Sequence, residues 1–497
     1  MSTQAIMILT IALYVVFISA VAVMSKRSAK SITELTVGGR NAGAWVSALS
    51  YGTAYFSAVM FIGYAGGTGW RYGLWGVLPG IGNAVIGSLL AWLVLARRTR
   101  ALTQANGVKS MPDLFATRFQ SDGMRLFAGV VITVFLIPYS ASVYKGLTSV
   151  CSVLLDIDET VCMVVIAVAA ALLVSLGGYA ATLKADFVQG IVMLLGVSTL
   201  ILAVVRCGQV GGLQRGLAAI SAATAQLQLG AKEHIALWAT VLMTSFGTWG
   251  LPQMIHKYYA IRDDHEIKRG TVISTVFALV VAGGGYFLGS LSHLFFTELP
   301  AGGADYLVPN MLKAAGLPGV LLGLVLVLLI AASVSTLCSI TITASSTFTM
   351  DLLGRAVRKK QDEQKAARTM RVVALAFIAV SFAVATSDTP ILDMMSYSWG
   401  VISGSFLAPY ALLLYKKSFT RRGAWAGMVG GFVTALPPVV CKLFFPEASL
   451  PFFGRIADMG PHFACLAMLV SFALCIGFGS VLQKQQMEHE FYAVAGM

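Results

Sequence analysis

Apolar runs of about 20 residues, each long enough to cross the hydrocarbon core of a bilayer, recur along the whole chain. Thirteen can be drawn, at roughly residues 4–25, 43–68, 73–96, 124–154, 158–177, 182–206, 234–259, 270–297, 317–353, 369–387, 390–415, 421–445 and 460–483. They lack the period-two alternation of barrel strands and are too long for them. In lipid every backbone amide and carbonyl must be paired within the protein, so the runs read as helices. Composition agrees, with 57% of residues hydrophobic and only 11% charged, against about 25% charged in a typical soluble domain. The expectation is an all-α integral membrane protein of about 13 transmembrane helices, multi-pass in the cell (inner or plasma) membrane.

The net charge of +13 could suggest a nucleic-acid partner, but its distribution argues against one. Basic residues gather in the loops after odd-numbered spans: Lys26, Arg27, Lys30 and Arg40; Arg97 to Arg125; Lys184; Lys257 to Arg269; Arg355 to Arg371; Lys416 to Arg422; and Lys484. The alternate loops hold Arg71, Arg206, Arg215, Lys232, Lys313, Lys442 and Arg455. By the positive-inside rule the N-terminus is outside and the C-terminus cytoplasmic. The opening "MSTQAIM" has no positive region, so the first span reads as a retained anchor, not a signal peptide. The seven cysteines are scattered without a CxxC pair, which suggests neither a metal site nor a disulfide framework. No phosphate-binding loop, zinc motif or nucleophile elbow stands in the right context, so the chain does not read as an enzyme.

Two spans are interrupted. In "SALSYGTAYFSAVMFIG" Gly52 sits among Ser47, Ser50, Thr53 and Ser57, and "TSFGTWGLPQMIHK" carries Gly247, Gly250 and Pro252. Proline removes a backbone donor and crowds the carbonyl four residues earlier; glycine adds backbone freedom. Either break alone is an ordinary kink. Together they lie five spans apart, so their spans cross the membrane in opposite directions. That is the pattern of an inverted repeat, spans 2–6 against spans 7–11, whose broken helices form a binding site near the midplane. The implied division is 1–42 (first span and loop), 43–206 (first repeat), 207–417 (second repeat) and 418–497 (two further spans and a short tail).

A third feature is the run "AASVSTLCSITITASSTFT" (331–349), with ten Ser or Thr residues. Hydroxyls in membrane helices commonly bond the carbonyl four residues back or let helices pack closely. Ser335 and Ser339, however, share a face, with Thr336 beside them and Ala332 one turn earlier. Neutral hydroxyls and freed carbonyls suit a hard monovalent cation that must also leave.

These pieces resemble the sodium:solute symporter family, most specifically in "TELTVGGRNAG" (33–43), "LGGYAATLKADFVQG" (176–190), "GLPQMIHKYYAIRD" (250–263) and "AASVSTLCS" (331–339). The resemblance implies a five-plus-five inverted-repeat fold and Na+-driven import of a small organic solute. Matched by position, the sodium ligands are the carbonyls of Thr53, Phe56 and Ala332 and the hydroxyls of Ser335 and Thr336. Some members hold a second sodium, matched here by Asp186, Ser335, Cys338 and Ser339. Cys338 departs from that pattern, because a thiol is a poor sodium ligand, and Asp186 can instead pair with Lys184 or help close an inner gate. The substrate set implied is Tyr55, Ser57, Val59, Tyr139, Lys145, Thr244, Thr248 and Pro252. Tyr55, Val59, Thr244 and Thr248 depart from the proline-transporting pattern, while Val59 and Met60 depart from the sugar pattern. "GLP" at 250–252 is closer to pantothenate transporters.

Lys145 lies inside span 4, where an ionisable side chain is costly and faces a partner or a cavity. It either attracts a substrate carboxylate or snorkels outward or pairs with an acid such as Asp393. The function expected is sodium-coupled symport of a small solute, a carboxylate such as an amino acid, a monocarboxylate or pantothenate. The partners are the ion, the solute and the lipid; no obligatory protein partner is evident. The alternatives are a proton-coupled or uncoupled transporter of the same fold, or a membrane solute sensor.

Overall fold

The computed structural model describes residues 2–25, 40–354, 363–445, 451–479 and 491–495. Lys26, Arg27, Lys30, most of the basic cluster from Arg355, Lys484 and the start of the "TELTVGGRNAG" motif lie outside the described residues. The described chain is helical, and its regular pairing outside helices is one backbone bridge between Ala42 and Ile261. The thirteen helices used below are α1 (Thr3–Ser25), α2 (Ala44–Tyr55), α3 (Ala65–Tyr72), α4 (Asp122–Leu155), α5 (Glu159–Arg206), α6 (Ala231–Phe246), α7 (Pro252–Tyr259), α8 (Asp264–Ala278), α9 (Gly319–Thr347), α10 (Glu363–Ala385), α11 (Ile391–Tyr415), α12 (Arg421–Phe444) and α13 (Gly460–Gly479). Nine helices among the described residues are long and apolar enough to cross a membrane, and two shorter apolar ones lie in α1 and at the start of α5. The two interrupted spans fall below that length because they are broken.

Side chains such as Leu195, Val276, Val372 and Leu469 are more than half exposed, as lipid-facing residues should be. The centre is α9, which packs against α1, α2, α4, α5 and α10. Seven of the ten hydroxyls of 331–349 fall into two groups. Thr343, Ser345 and Ser346 bond carbonyls three or four residues back in their own helix, the ordinary solution. Ser333, Ser335, Thr336 and Ser339 reach other elements.

Both breaks are present. The first lies between α2 and a π-helical turn at Met60–Tyr64: Phe56 is extended (φ −106°, ψ 109°) and its amide is the last to bond back, to Gly52, at 2.9 Å. The second runs through a 3-10 turn at Gly247–Trp249 to Leu251, extended at φ −81°, ψ 120°, after which Pro252 opens α7. Proline fits the first helical turn, where an amide has no partner in its own helix anyway. Backbones cross closely beyond the first break: a Cβ on Gly289 would lie 1.9 Å from the Ala65 carbonyl oxygen.

The loops sort to two ends. Arg40 donates to the Thr103 and Val108 carbonyls, Arg100 reaches Arg262 and Asp264, and Arg118 donates to the Lys417 carbonyl. Phe491 and Tyr492 bond Asn106 and Leu413 at that same basic end. At the other end Gln4 donates to the Leu155 carbonyl, Tyr306 bonds Glu159, and Gln209 donates to the Ala314 carbonyl. Glu159 at the start of α5 and Gln209, three residues past its end, thus both reach the segment 306–314, so the two arms of α5 run in opposite directions.

Candidate functional site

At the first break the helix dipole ends and freed backbone face α9. The Thr336 hydroxyl lies 2.9 Å from the Thr53 carbonyl oxygen and 3.0 Å from that of Ala332, and donates to both. Ser333 accepts the Ala58 amide at 3.3 Å. Thr53, Phe56, Ala332, Ser335 and Thr336 are all fully buried. Three oxygens of the expected cage, those of Thr53, Ala332 and Thr336, therefore meet across the α2–α9 interface. A hydroxyl has one proton and two lone pairs, so Thr336 can pair the carbonyls or turn a lone pair to a cation between them.

Ser335 turns to a different neighbour, donating to Asp186 Oδ1 at 2.5 Å. Asp186 Oδ2 accepts from Ser50 at 2.5 Å and from the Lys257 ammonium at 3.2 Å, and Lys257 also donates to Ser339 at 2.9 Å. The ion pair is nearly sealed, with side-chain exposures of 2% for Lys257 and 1% for Asp186. Lys184 is exposed, and the partner of Asp186 is Lys257. Counted in the sequence among the topogenic basic residues, Lys257 instead points into the protein from α7. The only signal for it was its place inside the "GLPQMIHKYYAIRD" motif.

The substrate set comes together in part. The Tyr55 hydroxyl donates to the Thr244 carbonyl at 2.6 Å, and Thr248 donates to the Ser245 carbonyl at 2.9 Å, so Tyr55 joins the two breaks. Tyr139 approaches the Ala54 carbonyl at 3.4 Å and stands edge-on to Trp399, with ring centroids 5.6 Å apart. Tyr55 also faces Trp399 and stacks on Phe56. Ser57 accepts the Val59 amide, and Val59 packs against Gly146. Pro252 is buried at the start of α7. Trp399 had no signal in the sequence beyond an aromatic in a span.

Lys145 stands apart from this cluster. Its ammonium donates to the Ser387 and Thr389 carbonyls at 2.9 and 2.8 Å and makes no ion pair with Asp393. It lines a cavity of about 1630 Å³ at the less basic end, with Arg71, Glu159, Asp305, Asp393 and Arg455. Burial raises the Asp305 carboxyl above its usual range, opposed by the Ile391 amide and the charge of Lys145. Acidic and basic side chains both line this vestibule.

A helical membrane body with two opposed breaks around buried oxygens and aromatics defines a secondary transporter. The sodium:solute symporter family model matches residues 36–431, and the chain belongs to that family. It is 27% identical over 449 residues to the high-affinity proline transporter PutP of Bacillus subtilis, covering 89% of this chain and 92% of the relative. It is 26% identical to the sodium/pantothenate symporter of Escherichia coli, covering 87% and 90%. Among solved structures, a Na+-coupled sialic acid symporter in its substrate-bound outward-open state superposes with a TM-score of 0.74 at 16% identity, covering 97% and 99%. The protein is a sodium-coupled symporter of a small organic solute, not an enzyme.

Proposed function

We propose that a single sodium ion binds between the first break and α9, held by the carbonyls of Thr53, Phe56 and Ala332 and the hydroxyls of Ser335 and Thr336. The observation that carries this reading is the Thr336 hydroxyl set between the Thr53 and Ala332 carbonyls. Sodium replaces the Thr336 proton as the bridge and fixes the broken helix. The solute binds beside it against Tyr55, Ser57, Val59, Tyr139, Thr244, Thr248 and Pro252. It is a small carboxylate: proline and pantothenate, named for the two relatives, and sialic acid, named for the structural neighbour, all carry that group. Lys145 acts in the vestibule, where an anion arrives, and not at the midplane.

Ten of the thirteen spans form two inverted five-helix repeats, 43–206 and 207–417, after one span in the opening segment 1–42 and before two in the closing 418–497. The basic end is cytoplasmic, the N-terminus is outside, and rocking of the repeats exposes the site to each side in turn. Each ligand raises the affinity for the other by the same factor. The membrane potential adds about 2.3 kcal/mol per charge per 100 mV.

Uptake into proteoliposomes decides between this reading and its rivals. Radiolabelled amino acids, monocarboxylates and pantothenate are offered under a sodium gradient, a proton gradient, or neither. Uptake of one acid stimulated by sodium and insensitive to a protonophore is expected. Uptake driven by protons alone contradicts sodium coupling.

A further inference from the structure

Beside the sodium cage lies a second buried polar cluster drawn from four elements: Ser50 of α2, Asp186 of α5, Lys257 of α7, and Ser335 and Ser339 of α9. It has the composition of a cation site, with one carboxylate and three hydroxyls in a dry interior. We infer that the Lys257 ammonium is a built-in cation occupying this site, so that the carrier binds one sodium ion and not two. The inference rests on the sodium cage proposed above.

Both Asp186 oxygens are engaged, one by Ser335 and the other by Ser50 and Lys257. Ser339 accepts a hydrogen bond from the same ammonium. A second metal ion would have to share these oxygens with a positive charge already in contact with them. Asp186 is the one acid in the cluster. The other fully buried acids among the described residues, Glu266 and Asp351, are bonded elsewhere, to the Ala44 amide and to Ser110. One negative charge balances one ammonium; an added sodium would leave a net positive charge at a site whose ion pair is almost fully buried. Cys338, in the same turn of α9, is buried and offers only a thiol.

The tethered charge also bears on the sodium cage. Ser335 donates its hydrogen bond to Asp186, which leaves both lone pairs of its oxygen for a cation. Asp186 is therefore a positioning residue for the first sodium, acting through Ser335, and Lys257 holds Asp186 in place. Because Lys257 rides on α7, directly after the second break, the ammonium links the two breaks.

The test is equilibrium binding of 22Na+ to the purified carrier, with no solute present. The wild type is expected to bind one ion per chain with a Hill coefficient near 1, as is Lys257→Arg. Lys257→Met fills a similar volume without charge and vacates the site, so two ions per chain are expected. Two ions per wild-type chain, or one in the folded methionine variant, overturns the inference. Should the methionine variant not be recovered folded, Lys257→Gln carries the same expectation and the same refutation. No saturable sodium binding to the wild type would instead overturn the cage itself.

Discussion

Ser335 and Thr336 are adjacent, yet their hydroxyls meet different partners: Asp186 for one, two backbone carbonyls for the other. Their residue types and their place on α9 were legible in the sequence, because hydroxyl side chains stand out within an apolar run. Lys257 was not. A lysine near a span end beside a basic loop reads as a topological marker, and its partner Asp186 lies 71 residues away. Lys145 stood out in the sequence as a charge within a span, but its carbonyl partners at 387 and 389 belong to a loop whose approach no local pattern encodes. Asp186→Asn leaves the Lys257 ammonium buried without its counter-charge. Breaking such a pair costs about 3–5 kcal/mol. A clear fall in the detergent melting temperature is expected, with most of it restored in Asp186→Asn/Lys257→Met. An unchanged melting temperature in the single variant would show that the pair does not hold α5 to α7.

Helix breaks are visible in sequence through Gly and Pro, but their positions are displaced. Gly52 flags the first break, yet α2 continues to Tyr55 and the extended residue is Phe56. Gly52 itself serves close packing, since a Cβ there would lie 2.3 Å from the Phe277 ring. At the second break Pro252 does mark the restart of helix. The π-helical stretches at Asn83–Leu90 and Trp92–Ala96 had no counterpart in the pattern, because one extra residue per turn changes hydrophobic periodicity too little to notice. Gly289 shows how tightly the second half of the broken helix is set. Gly289→Val forces a branched side chain against the Ala65 carbonyl, and overpacking of this kind costs about 1–3 kcal/mol. A lower melting temperature is expected, together with weaker solute transport; wild-type values for both would mean that the two helices are free to separate.

For the whole molecule, hydropathy and charge carried most of the information. Membrane class and the sorting of loops to two ends follow from them, whereas the family is carried by the motifs at 250–263 and 331–339. Arg40, Arg100 and Arg118 do more than mark a side. They tie the segments around residues 40, 100–108, 262 and 417 to one another through backbone carbonyls, which local sequence cannot show. If the basic end is cytoplasmic, Asp156→Cys in a cysteine-free background reacts with an impermeant maleimide in intact cells. Asn106→Cys then reacts only after permeabilisation. The reverse pattern would invert the topology and place the vestibule of Lys145 on the inner side.

The claim beneath the whole account is that sodium joins the first break to α9. Hydrogen–deuterium exchange of the segments 53–60 and 332–340, followed across a sodium titration at constant ionic strength with potassium as the control, tests it most directly. Saturable protection by sodium alone is predicted, shifted to at least about tenfold higher sodium (about 1.4 kcal/mol) in Ser335→Ala and Thr336→Ala. Exchange that is the same in sodium and potassium, or protection that both variants retain at wild-type concentrations, would contradict it.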